Sequence, residues 1–297
     1  MSNSSLFDSV NERTLLRPTE QHPFHLVDLS PWPFLTSFAF FQLVLSIVSY
    51  FHYYVLANFY LFISFIQIVF CLFGWSRDIL YEGCHSGAHT RAVQYGLRLG
   101  MFLFIVSEVM FFFGLFWAFF HFALSPSVYI GAVWPPIGLD IIPPFGFALL
   151  GTALLLYSGL TLTVAEKSVR RGWASFTFNY MLFTIILGFF FLFLQYIEYT
   201  SSSFSINDGV YGSIFFMLTG FHGFHVICGL ILLSINLARS YSQLDPSYVS
   251  YHIYTKSRGF PTFKDQHIGF TSAAWYWHFV DVVWVFLFLI VYIWGGI

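Results

Sequence analysis

Charge is what this sequence has least of. Only 9% of its 297 residues are Asp, Glu, Lys or Arg, against about 25% in an average soluble domain, so a water-facing surface cannot be built from it. Basic clusters are missing as well, and the net charge is -2. Phosphate-backbone recognition needs grouped Lys and Arg, so nucleic acid is excluded as a partner. Cysteine is nearly absent: Cys71, Cys84 and Cys228 are odd in number, far apart and in no CxxC pair. That argues against a disulfide framework or a zinc knuckle, and leaves them as packing thiols. No Gly-rich phosphate loop, dinucleotide fingerprint or nucleophile and base pair occurs. The stretch Met1 to Gln21 carries Asp8, Glu12 and Glu20 beside Arg13 and Arg17. It suits neither a signal peptide nor an acid-poor transit peptide, and reads as part of the mature chain.

What fills the sequence instead is apolar: 58% of residues are hydrophobic and 23% aromatic. A membrane-spanning helix needs about 20 mainly apolar residues, and seven segments meet that test. They run from Phe34 to Val55, Ala57 to Trp75, Leu99 to Phe120, Phe145 to Ala165, Phe176 to Ile197, Val210 to Leu237 and Thr271 to Trp294. The short first turn predicts an antiparallel hairpin. Polar stretches separate the second span from the third (Ser76 to Arg98) and the sixth from the seventh (Ala238 to Phe270). A Pro-rich loop, Ser125 to Pro144, follows the third span.

Sidedness checks the span count. With seven alternating spans, all 12 Lys and Arg residues fall on the side of the N-terminus, while the opposite loops carry Asp140, Glu198 and Asp208. Retained loops are the basic ones, so the N-terminus is inside and the C-terminus outside. Trp32, Trp75, Trp173 and Trp294 sit near span ends, as interfacial anchors do.

Few ionisable groups lie well inside the spans: Glu108, His222, His225, His278 and Asp281. Each is costly there, so a carboxyl group is protonated, paired or turned inward. Glu108 has no basic neighbour on its own helix, which predicts a neutral acid unless another span supplies a partner. It suits either a proton-relay site or an interhelical hydrogen bond, the second being favoured. His278 and Asp281, three apart, share a helix face and are expected to pair. His222 and His225 have the same spacing and would suit copper, zinc or haem if further ligands faced them. With Gly220, Gly223 and Gly229 nearby, interhelical hydrogen bonding in close packing is preferred. His85 and His89, beside Arg77, Arg91 and Trp75, lie at head-group depth and suit lipid better than metal.

Several strings are more specific than composition. They are His22-Pro-Phe-His-Leu-Val-Asp-Leu-Ser-Pro-Trp-Pro33, Gly96-Leu-Arg-Leu-Gly-Met-Phe-Leu-Phe-Ile-Val-Ser-Glu-Val-Met-Phe-Phe112, Phe116-Trp-Ala-Phe-Phe-His121, Trp134-Pro-Pro136, Asp208-Gly-Val-Tyr-Gly-Ser213, Thr219-Gly-Phe-His-Gly-Phe-His225 and Ala273-Ala-Trp-Tyr-Trp-His-Phe-Val-Asp-Val-Val-Trp284. In order and in content they resemble subunit III of cytochrome c oxidase, from His22 to the C-terminus.

The resemblance implies an all-α membrane protein of seven transmembrane helices, a two-helix hairpin plus a five-helix bundle with a lipid-filled cleft. On that plan residues 1–33 are an N-terminal matrix-side segment, 34–75 the hairpin, 76–98 a matrix-side connection, and 99–297 the bundle, with a polar insertion at about 240–265. It implies an accessory subunit of respiratory complex IV with no catalytic residue, metal or cofactor of its own. Haem and copper lie in partner subunits, chiefly the catalytic haem-copper subunit I. The family binds phospholipids, here expected to be cardiolipin, phosphatidylethanolamine or phosphatidylglycerol, and supports proton uptake during oxygen reduction. Residue by residue, Glu108 falls on the family's carbodiimide-reactive carboxylate. His22 and His25 match its proton-collecting N-terminal motif. Trp75, Arg77, Glu82, His89 and Arg239 match lipid-contacting positions. The implied location is the mitochondrial inner membrane, with the N-terminus in the matrix and the C-terminus in the intermembrane space. Departures occur at Ser76 and Tyr81, at Ala165-Glu-Lys167, at Gln266-His-Ile-Gly-Phe-Thr271 and in the long insertion from Ser240 to Asp265. The rival from another class is a self-sufficient proton or ion transporter using Glu108. Such a protein often shows two related halves or broken helices, and neither is evident.

Overall fold

The computed structural model describes residues 23–84, 88–241 and 267–296. His22, His85, the segment 1–22 and nearly all of the polar insertion lie outside them. Among the described residues there is no strand, and seven helices are long and apolar enough to cross a membrane. They are α1 (Trp32–Phe51), α2 (Ala57–Cys84), α3 (Arg91–Leu124), α4 (Phe147–Arg171), α5 (Ala174–Ser201), α6 (Gly209–Tyr241) and α7 (Ile268–Leu287). A π-helical turn, Phe288–Ile293, and a 3-10 turn, Trp294–Gly296, continue α7.

The helices outrun the spans read from hydropathy. The stretch Ser76 to Arg98 was expected to be a connection, but α2 continues to Cys84 and α3 begins at Arg91. Hydropathy marks where lipid ends, whereas a helix keeps its hydrogen bonds past that depth while Arg and Glu side chains reach water. At 1.5 Å per residue the 34 residues of α3 extend about 50 Å, well beyond a hydrocarbon core of about 30 Å. The first span shows the opposite error. α1 stops at Phe51, short of Val55, because the turn into α2 places Tyr53 and Leu56 at φ of 56° and 67°, which a helix cannot contain.

By its contacts the chain divides into two units, whose described parts are residues 23–84 and 88–96 in the first and residues 97–241 and 267–296 in the second. In the first, α1 and α2 form the antiparallel hairpin. Small buried residues line the seam, Ala39 and Ser46 on α1 and Ser64 and Cys71 on α2, and the Ser46 and Ser64 hydroxyls meet at 3.1 Å. Small side chains let backbones approach where no hydrophobic drive between helices exists. At the open end, Trp32 lies over Gly74, where a Cβ would fall 2.3 Å from the indole. Its Nε1–H donates to Asp78 Oδ2 at 2.5 Å.

In the second unit α7 is the hub. Trp277 is fully buried. Its ring fills the space that Cβ atoms on Gly188 of α5 and Gly229 of α6 would need, and its Nε1–H donates to Ser158 Oγ of α4 at 2.9 Å. Two turns on, Trp284 donates to Thr152 Oγ1 of α4 at 2.9 Å. One helix is thereby keyed to three neighbours, and the indole N–H groups of Trp277 and Trp284 both have an acceptor, as burial requires. α4 answers with a face of Gly151, Thr152, Leu155, Ser158, Gly159 and Leu162. It ends at Arg170 and Arg171, capped by Gly172 at φ 78°, the left-handed stop that glycine adopts without strain. Gly220 and Gly223 do not take part in close packing, since a Cβ on either would meet nothing within 4 Å.

Candidate functional site

The acid that lacks a partner on its own helix finds one on another. Glu108 extends from α3 to α6, where its Oε2 lies 2.9 Å from His225 Nε2. The other ring nitrogen, Nδ1, lies 2.6 Å from the Phe221 carbonyl. A carbonyl only accepts, so Nδ1 carries a proton. Nε2 is then either a lone pair accepting from a protonated Glu108 or an N–H donating to a carboxylate. In both states the couple shares one proton between Glu108 and Nε2, and no buried charge stands alone. Phe112 packs edge-on to the imidazole with centroids 5.0 Å apart, and Phe111 and Tyr276 stack at 6.3 and 6.2 Å. Aromatic faces also favour a cation, so the box tolerates the imidazolium state. His225 is 9% exposed and Glu108 22%. Ser107 turns back on its own helix, donating to the Phe104 carbonyl at 2.6 Å.

His222, one turn earlier on α6, is separate from this couple. It is buried, donates through Nε2 to the Val280 carbonyl of α7 at 3.2 Å, and lies against Phe191 and Trp284. The two histidines thus hold α6 to two different helices. Among the described residues no group of three or more His, Cys, Asp or Glu side chains converges as a metal site. His278 and Asp281 share one helix face, as their spacing predicts, with Nδ1 and Oδ2 4.0 Å apart. The Asp281 carboxyl also lies against Gly159, whose Cβ would fall 2.6 Å from Oδ2.

A second cluster lies in the first unit, at the basic end of the hairpin. His25 Nε2 is 3.1 Å from Glu82 Oε2, His25 and His89 meet edge-on at 6.1 Å, and Thr90 Oγ1 donates to the Pro23 carbonyl. Burial and, secondarily, His25 push His89 below the ordinary imidazole value, with Glu82 opposing. Thus His25, Glu82 and His89, matched separately to proton collection and to lipid, adjoin one another. Arg77 is mostly exposed and forms an ion pair with Asp78 at 2.8 Å. Trp75 lies on the same helix, half-buried, and Arg239 lies near the end of α6 with its Nη1 3.2 Å from where a Cβ on Gly269 would be.

Two polar groups escaped the sequence reading. Asp78 was one charge in a polar stretch. Glu198 was assigned only to an outer loop, yet it is buried near the end of α5, accepting from Tyr292 at 2.5 Å and from Gln195 at 3.1 Å. The only sequence signal for Glu198 is its position one residue inside the next turn after Gln195, at helical spacing for a local hydrogen bond.

The model of the family described as cytochrome c oxidase subunit III matches residues 22–296. Cytochrome c oxidase subunit 3 of Chondrus crispus is 44% identical over 280 residues, covering 94% of this chain and 97% of its own. That of Prototheca wickerhamii is 45% identical over 276 residues, covering 93% and 99%, and that of Drosophila melanogaster 46% over 275 residues, covering 93% and 98%.

Proposed function

The chain belongs to the cytochrome c oxidase subunit III family, and from that premise we propose that it is an accessory subunit of the oxidase. In this role it stabilises the haem-copper subunit, retains phospholipid and supports proton uptake, with no redox centre of its own. Its place is the mitochondrial inner membrane, with the N-terminus in the matrix and the C-terminus in the intermembrane space. The hairpin and the bundle act as separate domains. Cardiolipin, phosphatidylethanolamine and phosphatidylglycerol are the candidate lipids, and Trp75, Arg77, Glu82, His89 and Arg239 the contacts.

The observation that carries the reading is the Glu108–His225 couple. A carrier carboxyl must exchange its proton with both sides, whereas Glu108 is tied by a 2.9 Å hydrogen bond to a histidine that an aromatic box surrounds. That arrangement supports a structural acid that tunes the bundle over an autonomous transporter. At the basic end, Glu82 adjoins His25 and His25 adjoins His89, a cluster that suits proton collection for a neighbouring subunit. His22, three residues before His25, joins them in the proposal.

The test is purification of the chain from its native membrane under mild detergent, with mass spectrometry of what accompanies it. Stoichiometric recovery with a haem-copper subunit is expected. Recovery alone, with proton flux after reconstitution into vesicles, would establish the transporter instead.

A further inference from the structure

The seam between α4 and α7 holds a carboxyl group that neither the Glu108–His225 couple nor the basic-end cluster uses. Asp281 is 6% exposed, and among the described residues its Oδ1 has no hydrogen-bond partner. Its Oδ2 lies over Gly159 of α4, 2.6 Å from where a Cβ would be, and His278 Nδ1 lies 3.6 Å from the same point. Glycine thus leaves the space that both side chains occupy. Asp281 stands about 20 Å along α7 from Ile268, by the rise of about 1.5 Å per residue, which is hydrocarbon depth. An unpaired carboxylate there is costly, so Asp281 carries its proton at rest.

A line of ionisable groups leads from this carboxyl to the basic side. His278 Nδ1 stands 4.0 Å from Asp281 Oδ2, and the imidazole, 36% exposed, has room to turn and close that gap. Glu166 of α4 interacts electrostatically with His278. Glu166 in turn pairs with Arg170 at 4.0 Å, and Arg170 is 65% exposed. On α4, Gly159, Thr163, Glu166 and Arg170 recur at spacings of four, three and four, which is one face of a helix. The polar line therefore starts in water and ends at Asp281. Beyond Asp281 the seam is closed by Trp284, which donates to Thr152 of α4 and packs with Phe191 over Gly151. The other ionisable groups packed against α7 have their own partners: His222 the Val280 carbonyl, and His225, stacked on Tyr276, the Glu108 carboxyl.

We propose that Asp281 and His278 form a proton-binding site inside the bundle, loaded and unloaded from the basic side past Glu166. The Asp281 O–H bond breaks as an N–H bond forms on Nδ1, which leaves an imidazolium beside a carboxylate. The ring turns, its other nitrogen returns a proton to Asp281, and the first proton passes to the Glu166 carboxylate and on to water. Charge and protons balance, and no bare charge is left at depth. Because the seam is closed beyond Asp281, the site stores a proton and does not conduct one across the membrane. Such a site holds its proton whether or not the chain sits in an oxidase.

The experiment follows the carbonyl stretch of protonated carboxyl groups by infrared spectroscopy as the purified complex, carrying this chain with isotope-labelled aspartate, is moved from water into deuterium oxide. The label separates Asp281 from Glu108 and Glu198, and deuterium shifts the band as the proton is exchanged. Wild type is expected to show a protonated aspartate band that Asp281→Asn lacks. In His278→Leu the exchange should slow by about a hundredfold, the low end of what a positioned proton-transfer group contributes. His278→Gln should be as slow, since an amide keeps hydrogen bonding but carries no proton, and Glu166→Gln should slow exchange to a smaller degree. A wild-type spectrum without the band overturns the inference, and it decides the matter even if Asp281→Asn fails to assemble. Persistence of the band in Asp281→Asn overturns it too, as does exchange at the wild-type rate in His278→Leu, His278→Gln or Glu166→Gln.

Discussion

Replacing Glu108 separates its two possible roles, because Gln and Ala remove different things. Gln keeps the length of the side chain and offers an N–H to His225 Nε2, the atom that Glu108 Oε2 now meets at 2.9 Å. Nδ1 remains bound to the Phe221 carbonyl, so the imidazole stays in place. One hydrogen bond is exchanged for another, and the change in stability should stay within about 1 kcal/mol. Ala leaves Nε2 unpaired on a His225 side chain that is 9% exposed. An orphaned buried polar group costs roughly 1–3 kcal/mol; the partial cavity adds to it, for a total of about 2–4 kcal/mol.

The assays follow from that difference. Thermal melting of the purified complex should rank wild type and Glu108→Gln together and Glu108→Ala well below. Carbodiimide labelling of this chain should vanish in both variants, because no carboxyl group remains at the position. Oxygen consumption and the ratio of protons pumped per electron, measured in vesicles at normal subunit content, should be largely retained in the Gln variant. A complete loss of pumping in Glu108→Gln would refute the reasoning, since an amide can hold the helices but cannot pass a proton.

His89 gives a pH test whose sign is fixed. Its native value is held below about 6.5 by burial and by His25, so the unfolded state takes up the proton first. The local fold therefore has its full stability above pH 6.5 or so and loses it as pH falls through the native value. Hydrogen exchange in the segment 88–98, corrected for intrinsic rate, should speed up between pH 7.5 and 5 and lose that dependence in His89→Gln. Neutralising Arg77, His89 and Arg239 together should deplete tightly bound phospholipid in the purified complex, measured by lipid mass spectrometry; unchanged lipid content rejects the assignment. Gly188→Ala would put a Cβ 2.7 Å from Trp277 and 2.8 Å from Leu230, and should cost about 1–3 kcal/mol by overpacking. Gly220→Ala, facing open space, should leave the melt unchanged.

The existence and order of the seven helices were legible because bilayer thickness imposes a length and lipid imposes a composition. Helix ends were not, as α2 and α3 show, because a hydrogen-bonded backbone does not stop where lipid does. The hairpin was legible from the single residue between the first two apolar runs. Its turn residues were not, since nothing in Tyr53 or Leu56 signals a positive φ. Within the candidate site, the sequence singled out Glu108 and His225 as the groups that need partners. It did not pair them, because that pairing depends on how two helices 117 residues apart are rotated and shifted, which no local pattern encodes.

The same limit explains why spacing put His278 and Asp281 on one face without showing what else surrounds them. An i, i+3 relation places two side chains on one face, but a helix hub has several faces to satisfy at once. Asp281 turns into the gap that Gly159 leaves on α4, Trp277 occupies the hollows at Gly188 and Gly229, and Trp284 reaches Thr152. Each of these contacts fixes the rotation of α7, and with it the 4.0 Å between His278 Nδ1 and Asp281 Oδ2. The exposed imidazole is thus a consequence of packing the other side of the helix.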